Sequence, residues 1–376
     1  MGYGWGIGCS RKACFANLQG GGYMELNKML KEMVEKKASD LILKAGSPVC
    51  LRINGELCKE GPLLTSIALD SLVNEIMNRA EIGKLTSQKE ILLSFGIKDI
   101  GRFRVTVFQQ RGSFVIVARA INTEIPEFNE LNLPANVLEA LAAEKRGLIF
   151  VTGTTGSGKS TAVASMIEHI NKNMARHIVT LEDPIEFIFK DKMSIISQRE
   201  IKVDTESFQK ALEYIMAQTP DIIFIGDIRS ADVMNAAMTA AETGQLVIAN
   251  LHTINTIHTI ERIVNFFQPH QHQEIRMQLS LMLKGILSLR LVPLKDGTGR
   301  IPACEILIPT PTIVELIREG KINEIEHFIK DGSLYGMQAF DQALLNLYRT
   351  GKITKETAVN YAERKDEVIM GMKDLR

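Results

Sequence analysis

The sequence predicts two domains of different class: a small α+β domain, then an α/β domain built on a parallel sheet. Three observations carry that expectation. From residue 146 onward, short apolar runs alternate with helical stretches, the pattern of parallel strands covered on both faces. The stretch "GTTGSGKST" at 153–161 is spelled G-x-x-x-x-G-K-[ST] between a strand and a helix. Upstream, "GRFRVTVFQQRGSFVIVARAI" alternates with the two-residue period of a half-buried hairpin.

The totals agree. A chain of 376 residues has room for two domains. Its 45% hydrophobic and 23% charged content suits proper cores in a globular protein. Lys plus Arg and Asp plus Glu each number 44, so bulk charge points neither to nucleic acid nor to an anionic membrane. No basic, aromatic-studded groove is legible either, which sets a nucleic-acid motor aside. No apolar run reaches the ~18 residues of a membrane span; "LMLKGILSLRLVPL" is interrupted by Lys284 and Arg290. The cysteines at 9, 14, 50, 58 and 304 form no C-x-x-C pair, so reduced thiols are expected, with neither disulfide nor metal-thiolate site.

Residues 1–23 are glycine-rich, lack helix or strand period and hold the only Trp. They are no convincing secretory signal, because Arg11 and Lys12 come late and no apolar core follows. "GGGYM" can be encoded by a purine-rich ribosome-binding sequence followed by a start codon. Translation is therefore expected to begin at Met24, with 1–23 a non-native or disordered extension.

From Met24, "MELNKMLKEMVEKKASD" reads as an amphipathic helix. "DLILKAG" and "PVCLRING" read as strands, the second ending in an Asn-Gly turn signal. "TSIALDSLVNEIMNR" has helical spacing, capped by Thr65 or Ser66. The hairpin follows, with Phe103, Val105 and Val107 on one face, Arg102, Arg104 and Thr106 on the other, and its turn near Arg111 and Gly112. Residues 122–134, with two prolines and three acids, read as a linker. The α/β core is expected over 135–310 and a helical region over 311–376.

The phosphate loop's spelling has a chemical cause. Gly156 and Gly158 let the backbone of Thr155, Gly156, Ser157, Gly158, Lys159, Ser160 and Thr161 curl so that N–H groups face phosphate oxygens. The next helix adds its positive end. Lys159 reaches the β- and γ-phosphates of ATP, and Ser160 is placed to ligate Mg²⁺. Downstream, "PDIIFIGDIRS" is an apolar strand of the kind that stands beside such a loop, ending in Asp227. "TLEDPIEF" ends a strand with Glu182, Asp183 and Glu186, and "LVIANLH" ends in His252. Ligands of open α/β sheets gather at the carboxyl ends of strands, so Glu182, Asp227 and His252 form a candidate constellation. Asp-Pro is also an ordinary turn element, and a lone His is often a structural hydrogen-bonder.

"GLIFVTGTTGSGKST", "VTLEDPIEF", "TPDIIFIGDIR", "AAETGQLVIANLHT" and "TIERIVNFF" resemble, in order, the Walker A, Asp-box, Walker B and His-box motifs of secretion ATPases. From about Met24 to the C-terminus the chain resembles the type IV pilus retraction ATPases PilT and PilU. Its short N-terminal region and lack of paired C-x-x-C motifs separate it from the extension and type II secretion branches. "GMQAFDQALLNLYRTGKIT" and "DEVIMG" lean toward PilU. The resemblance implies a RecA-like P-loop ATPase domain with a smaller N-terminal PAS-like α+β domain. It also implies a homohexamer, cytoplasmic and docked on the inner-membrane pilus platform protein, with ATP between the two domains. Arg102, Arg104 and Arg111 match N-domain arginines that reach the nucleotide. A solvated strand face is the alternative for the first two.

Four departures stand out. Asp227 replaces the usual Glu, withdrawing the carboxylate by about 1.5 Å, and a misplacement of about 1 Å can cost on the order of 100-fold in rate. Gln245 replaces the first His of the His-box. Glu213 and Ala217 stand where arginines are usual, and "TIVELIRE" matches the retraction signature only in part. Two readings follow: a slow or accessory Mg-ATP-driven retraction motor, or an ATP-binding structural partner of an active paralogous retraction ATPase.

Overall fold

The computed structural model describes residues 26–53, 56–98, 100–121 and 123–373. The expected extension over 1–23, the Met24 start and the turn at Asn54 and Gly55 lie outside the described residues. The chain divides into two compact units between Thr123 and Glu124.

The first unit holds helices α1 (Leu26–Glu35), α2 (Ser66–Ile76) and α3 (Arg79–Gln88). Its strands are β1 (Asp40–Lys44), β2 (Val49–Ile53), β3 (Glu56–Glu60), β4 (Glu90–Ile97), β5 (Gly101–Gln110) and β6 (Ser113–Ile121). They form one antiparallel sheet in the order β3-β2-β1-β6-β5-β4. Phe103, Val105 and Val107 on β5 pack with Met29 and Leu30 of α1 and with Leu69 and Leu72 of α2, as the alternation requires. The hairpin turn falls on Arg111 and Gly112, both with positive φ, which suits the twist of the flanking strands. Thr65 caps α2 by accepting from the Ala68 N–H. Helix α3 and strand β4 were not read from the sequence: α3 carries a single buried residue, Leu85, so its apolar period is faint.

The second unit holds α4 (Ala135–Ala142), β7 (Gly147–Thr152), α5 (Lys159–Asn173), β8 (His177–Glu182) and β9 (Ile195–Glu200). Then come α6 (Phe208–Ile215), β10 (Ile222–Ile225), α7 (Ala231–Glu242), β11 (Leu246–Leu251), α8 (Thr256–Val264) and α9 (His272–Met282). An antiparallel pair, β12 (Leu283–Pro293) and β13 (Arg300–Leu307), leads to α10 (Pro311–Glu319), α11 (Ile325–Asp331), α12 (Phe340–Arg349), α13 (Lys355–Tyr361) and α14 (Lys365–Lys373). The sheet order is β13-β12-β7-β11-β10-β8-β9, parallel from β12 through β9. Alternate residues of β7 feed opposite cores, Leu148 and Phe150 on one face and Ile149 and Val151 on the other. This explains its unbroken apolar run: both faces are buried.

One sequence expectation needs correction. Residues 122–134 are only partly a linker, because Phe128 and Leu133 are buried against Ile149 and Ile167 in the second unit's core. Strand β11 lies between β7 and β10, placing the Asp227 strand about 10 Å from β7, with its carboxyl end on the same sheet edge as the phosphate loop. "LMLKGILSLRLVPL" ends α9 and forms β12, and no helix among the described residues is long and apolar enough to cross a membrane.

Candidate nucleotide site

The carboxyl ends of β7, β11, β10 and β8 lie along one edge of the parallel sheet, and each ends in a group singled out above. After β7 the chain enters the phosphate loop. Gly153, at φ +147°, has no room for a Cβ, which would lie 2.3 Å from Ser157 Oγ and 2.5 Å from Leu289 O. Gly158 begins α5 at φ +97° with no side-chain cap, so the first N–H groups of α5 have no side-chain partner from Gly158 and suit an anion. Lys159 is 7% exposed. Its Nζ donates to Gly153 O at 2.7 Å and Thr154 O at 2.9 Å, holding the amine back along the loop. Burial pushes its pKa down, and the negative charges of Asp227 and Glu186 push it back up.

Asp227 follows β10 and is pinned from both sides. The Gly226 N–H donates to Leu181 O at 2.7 Å and the Ile228 N–H to Asn250 O at 3.1 Å. A Cβ on Gly226 would lie 3.0 Å from Leu181 O and 3.2 Å from Glu182 Cα, so glycine permits this approach of β10's end to β8. The Asp227 side chain is buried, 8% exposed. Its Oδ2 accepts from Arg229 Nε, and His252 Nε2 lies 3.4 Å from the same oxygen. Oδ1 is buried without a hydrogen-bond partner among the described residues, as is Asn250 Oδ1 on β11. Unpaired buried acceptors are costly, and water or hydrated Mg²⁺ between them and Ser160 would satisfy both. The residues present therefore fit a magnesium nucleotide.

Glu182 ends β8 with its carboxyl turned inward. Thr180 Oγ1 donates to Oε1 at 2.7 Å, and Gln198 Nε2 of β9 donates to the same oxygen at 3.2 Å. Burial pushes its pKa up to about 7, with those hydrogen bonds opposing the rise. With Ser160, Phe224 and Asn250, it lines a cavity of about 50 Å³ beside α5. A carboxyl titrating near 7 in the fold and 4.5 outside it stabilises the fold most below pH 4.5. That contribution is lost as pH rises through 7, by up to roughly 3 kcal/mol. Glu182→Gln is expected to remove this dependence. Its urea unfolding free energy should gain on wild type between pH 5 and 8; a pH-independent difference would refute the assignment.

The structure brings together the loop residues 155–161, Asp227 and His252, with Glu182 at the adjoining strand end. Arg102 and Arg104 sit half-buried on β5 of the first unit and Arg111 is exposed at its turn; Arg102 Nε donates to Ser94 Oγ at 3.3 Å. Gln245 precedes the amino end of β11, where its O accepts from the Gly147 N–H. The strand length puts it about 20 Å from His252, so that departure lies at the opposite edge of the sheet. Glu213 pairs with Lys210 on the exposed face of α6. Sequence reasoning missed Arg229, Asn250 and a second groove of about 220 Å³ beside the loop, lined by Leu131, Leu133, Gly158, Thr161 and Leu291 among others. The cation two residues beyond Asp227 was a readable signal; the groove joins segments far apart in sequence and had none.

Comparisons with known proteins converge on one group. The family described as Type II/IV secretion system protein matches residues 23–370. The Type IV pilus ATPase PilU of Pseudomonas aeruginosa is 41% identical over 352 residues, 93% of this chain and 92% of that one. The Type IV pilus retraction ATPase PilT of the same organism is 37% identical over 89% of this chain and 97% of its own. The crystal structure of the pilus retraction motor PilT with bound ADP superposes with a TM-score of 0.84 at 43% identity, covering 92% of this chain and 98% of that one.

Proposed function

The chain belongs to the Type II/IV secretion system protein family, in its PilT/PilU branch of pilus retraction ATPases, and from that premise we propose a hexameric Mg-ATP-dependent motor of slow or accessory character. Its fold is a RecA-like ATPase domain with a smaller N-terminal α+β domain. The observation that carries the proposal is the buried, unpartnered Oδ1 of Asp227, on the strand-end edge shared with an intact phosphate loop.

Lys159 and the main-chain N–H groups from Thr155 to Thr161 bind the β- and γ-phosphates, Lys159 leaving the Gly153 and Thr154 carbonyls to do so. The groove at Leu131, Leu133 and Leu291 takes the base. Ser160 would hold Mg²⁺, which supplies charge neutralisation along the triphosphate. Asp227 orients the attacking water through Oδ1 and accepts its proton, since proton transfer needs a carboxylate within hydrogen-bond reach. His252, exposed and beside Asp227, reads the γ-phosphate, and Glu182 supports the water's position. Arg102, Arg104 and Arg111 of the first unit are nucleotide-contacting arginines on the family resemblance alone. The ring would dock on the pilus platform protein at the cytoplasmic face of the inner membrane.

A second reading has its own support. Asp227 is one methylene short, and Oδ2 is already engaged by Arg229. A chain that binds ATP without turning it over would serve as a structural partner of an active paralogue. Magnesium-dependent phosphate release by the purified protein separates the two. Release abolished by EDTA is expected; ATP binding with no release at saturating nucleotide would leave only the partner role.

A further inference from the structure

Arg229 has no role in the nucleotide chemistry described so far, yet it is the one side chain that hydrogen-bonds the Asp227 carboxylate among the described residues. Its geometry is unusual for an ion pair built for stability. The guanidinium is 71% exposed, while the carboxylate is 8% exposed. Contact runs through Nε to Oδ2, two residues along the same loop, so a largely exposed cation meets a buried carboxylate. What the contact does fix is rotation of the carboxylate. With Oδ2 held by Arg229 and flanked by His252 at 3.4 Å, Oδ1 is the oxygen left without a partner. The backbone of this loop is already pinned by Gly226 to Leu181 and by Ile228 to Asn250. Side-chain rotation is therefore the main freedom left to Asp227.

We propose that Arg229 is a positioning residue for hydrolysis: it clamps Oδ2 so that Oδ1 presents a fixed acceptor to the attacking water. The inference rests on the hydrolytic reading above. The clamp matters more for an aspartate than for a longer acid, because a carboxylate already short by a methylene loses reach whenever it rotates. Arg suits the task, since its planar fork leaves the Nη groups in solvent while Nε holds the oxygen.

The test is steady-state ATP turnover, fluorescent-ATP affinity and urea unfolding for wild type, Arg229→Ala, Arg229→Met and Arg229→Lys, with Lys159→Ala as the binding-deficient reference. Arg229→Ala and Arg229→Met are expected to lower kcat by on the order of 10- to 100-fold. Their KM and ATP affinity should stay at wild-type values, the kcat loss should exceed and not track any shift in unfolding midpoint, and Arg229→Lys should recover part of kcat. Unchanged kcat in the Ala and Met variants overturns the clamp. So does a loss confined to KM, which would make Arg229 a nucleotide ligand, or a loss that tracks the unfolding midpoint. Wild-type turnover no faster than Lys159→Ala removes the hydrolytic reading and the clamp together. Lys159-dependent turnover that survives Arg229→Ala removes the clamp alone.

Discussion

Lys159→Ala is expected to cut ATP turnover by at least on the order of 100- to 1,000-fold, the scale for losing a preorganised group that stabilises charge in the transition state. The amine is nearly buried, and its contacts are the Gly153 and Thr154 carbonyls at the mouth of the loop. Phosphate oxygens would offer it full negative charge in place of two neutral acceptors, so nucleotide affinity should fall as well. Stability should move differently. Burial holds the Lys159 pKa below its ordinary value, which means the folded state disfavours the charged amine. Removing it should leave the urea midpoint unchanged or slightly higher at neutral pH, as is common where a site is built for function. The decisive pair of measurements is phosphate release and unfolding on one preparation. Retained turnover would overturn the assignment of this loop; lost turnover with a collapsed midpoint would leave it unsupported by this variant.

Asp227→Glu is expected to act in the opposite direction and raise kcat by about 10- to 100-fold. The argument is one of reach. Glutamate would restore about 1.5 Å, and the backbone cannot supply that distance, because the Gly226 and Ile228 N–H groups are tied to Leu181 and Asn250. The two acids have similar unperturbed acidity, so basicity is not the variable. ATP affinity should not change, since Lys159 and the loop amides are untouched. Steady-state turnover at saturating Mg-ATP reads the result directly. A variant with unchanged kcat would show that distance does not limit the reaction, and the partner role would then account better for the shortened acid.

Elements with strong local pattern were readable in the sequence. The alternation of Phe103, Val105 and Val107, the apolar runs of β7, β10 and β11, and the phosphate-loop glycines each state their structure within ten residues or so. Elements lacking such a pattern were not read. Helix α3 offers one buried residue, and β9 has no fully alternating burial. The stretch at 126–133 looked like a linker because its two buried anchors, Phe128 and Leu133, are diluted by acids and asparagines. At the site, the loop, Asp227, Glu182 and His252 could be named individually. Their grouping rested on an expectation about strand ends, and the inward turn of Glu182 toward Thr180 and Gln198 was not part of it.

The sequence by itself determined the two-domain plan, the phosphate loop with Lys159 and Ser160, and the identity of the acid at 227. These are properties of short windows, where periodicity and residue chemistry suffice. Only the tertiary structure decided that β11 lies between β7 and β10, and that the Asp227 loop is pinned on both sides. It alone assigned one carboxylate oxygen to Arg229 and left the other free. Strand order and carboxylate orientation depend on contacts between residues tens of positions apart, and such contacts leave no periodic trace in the chain.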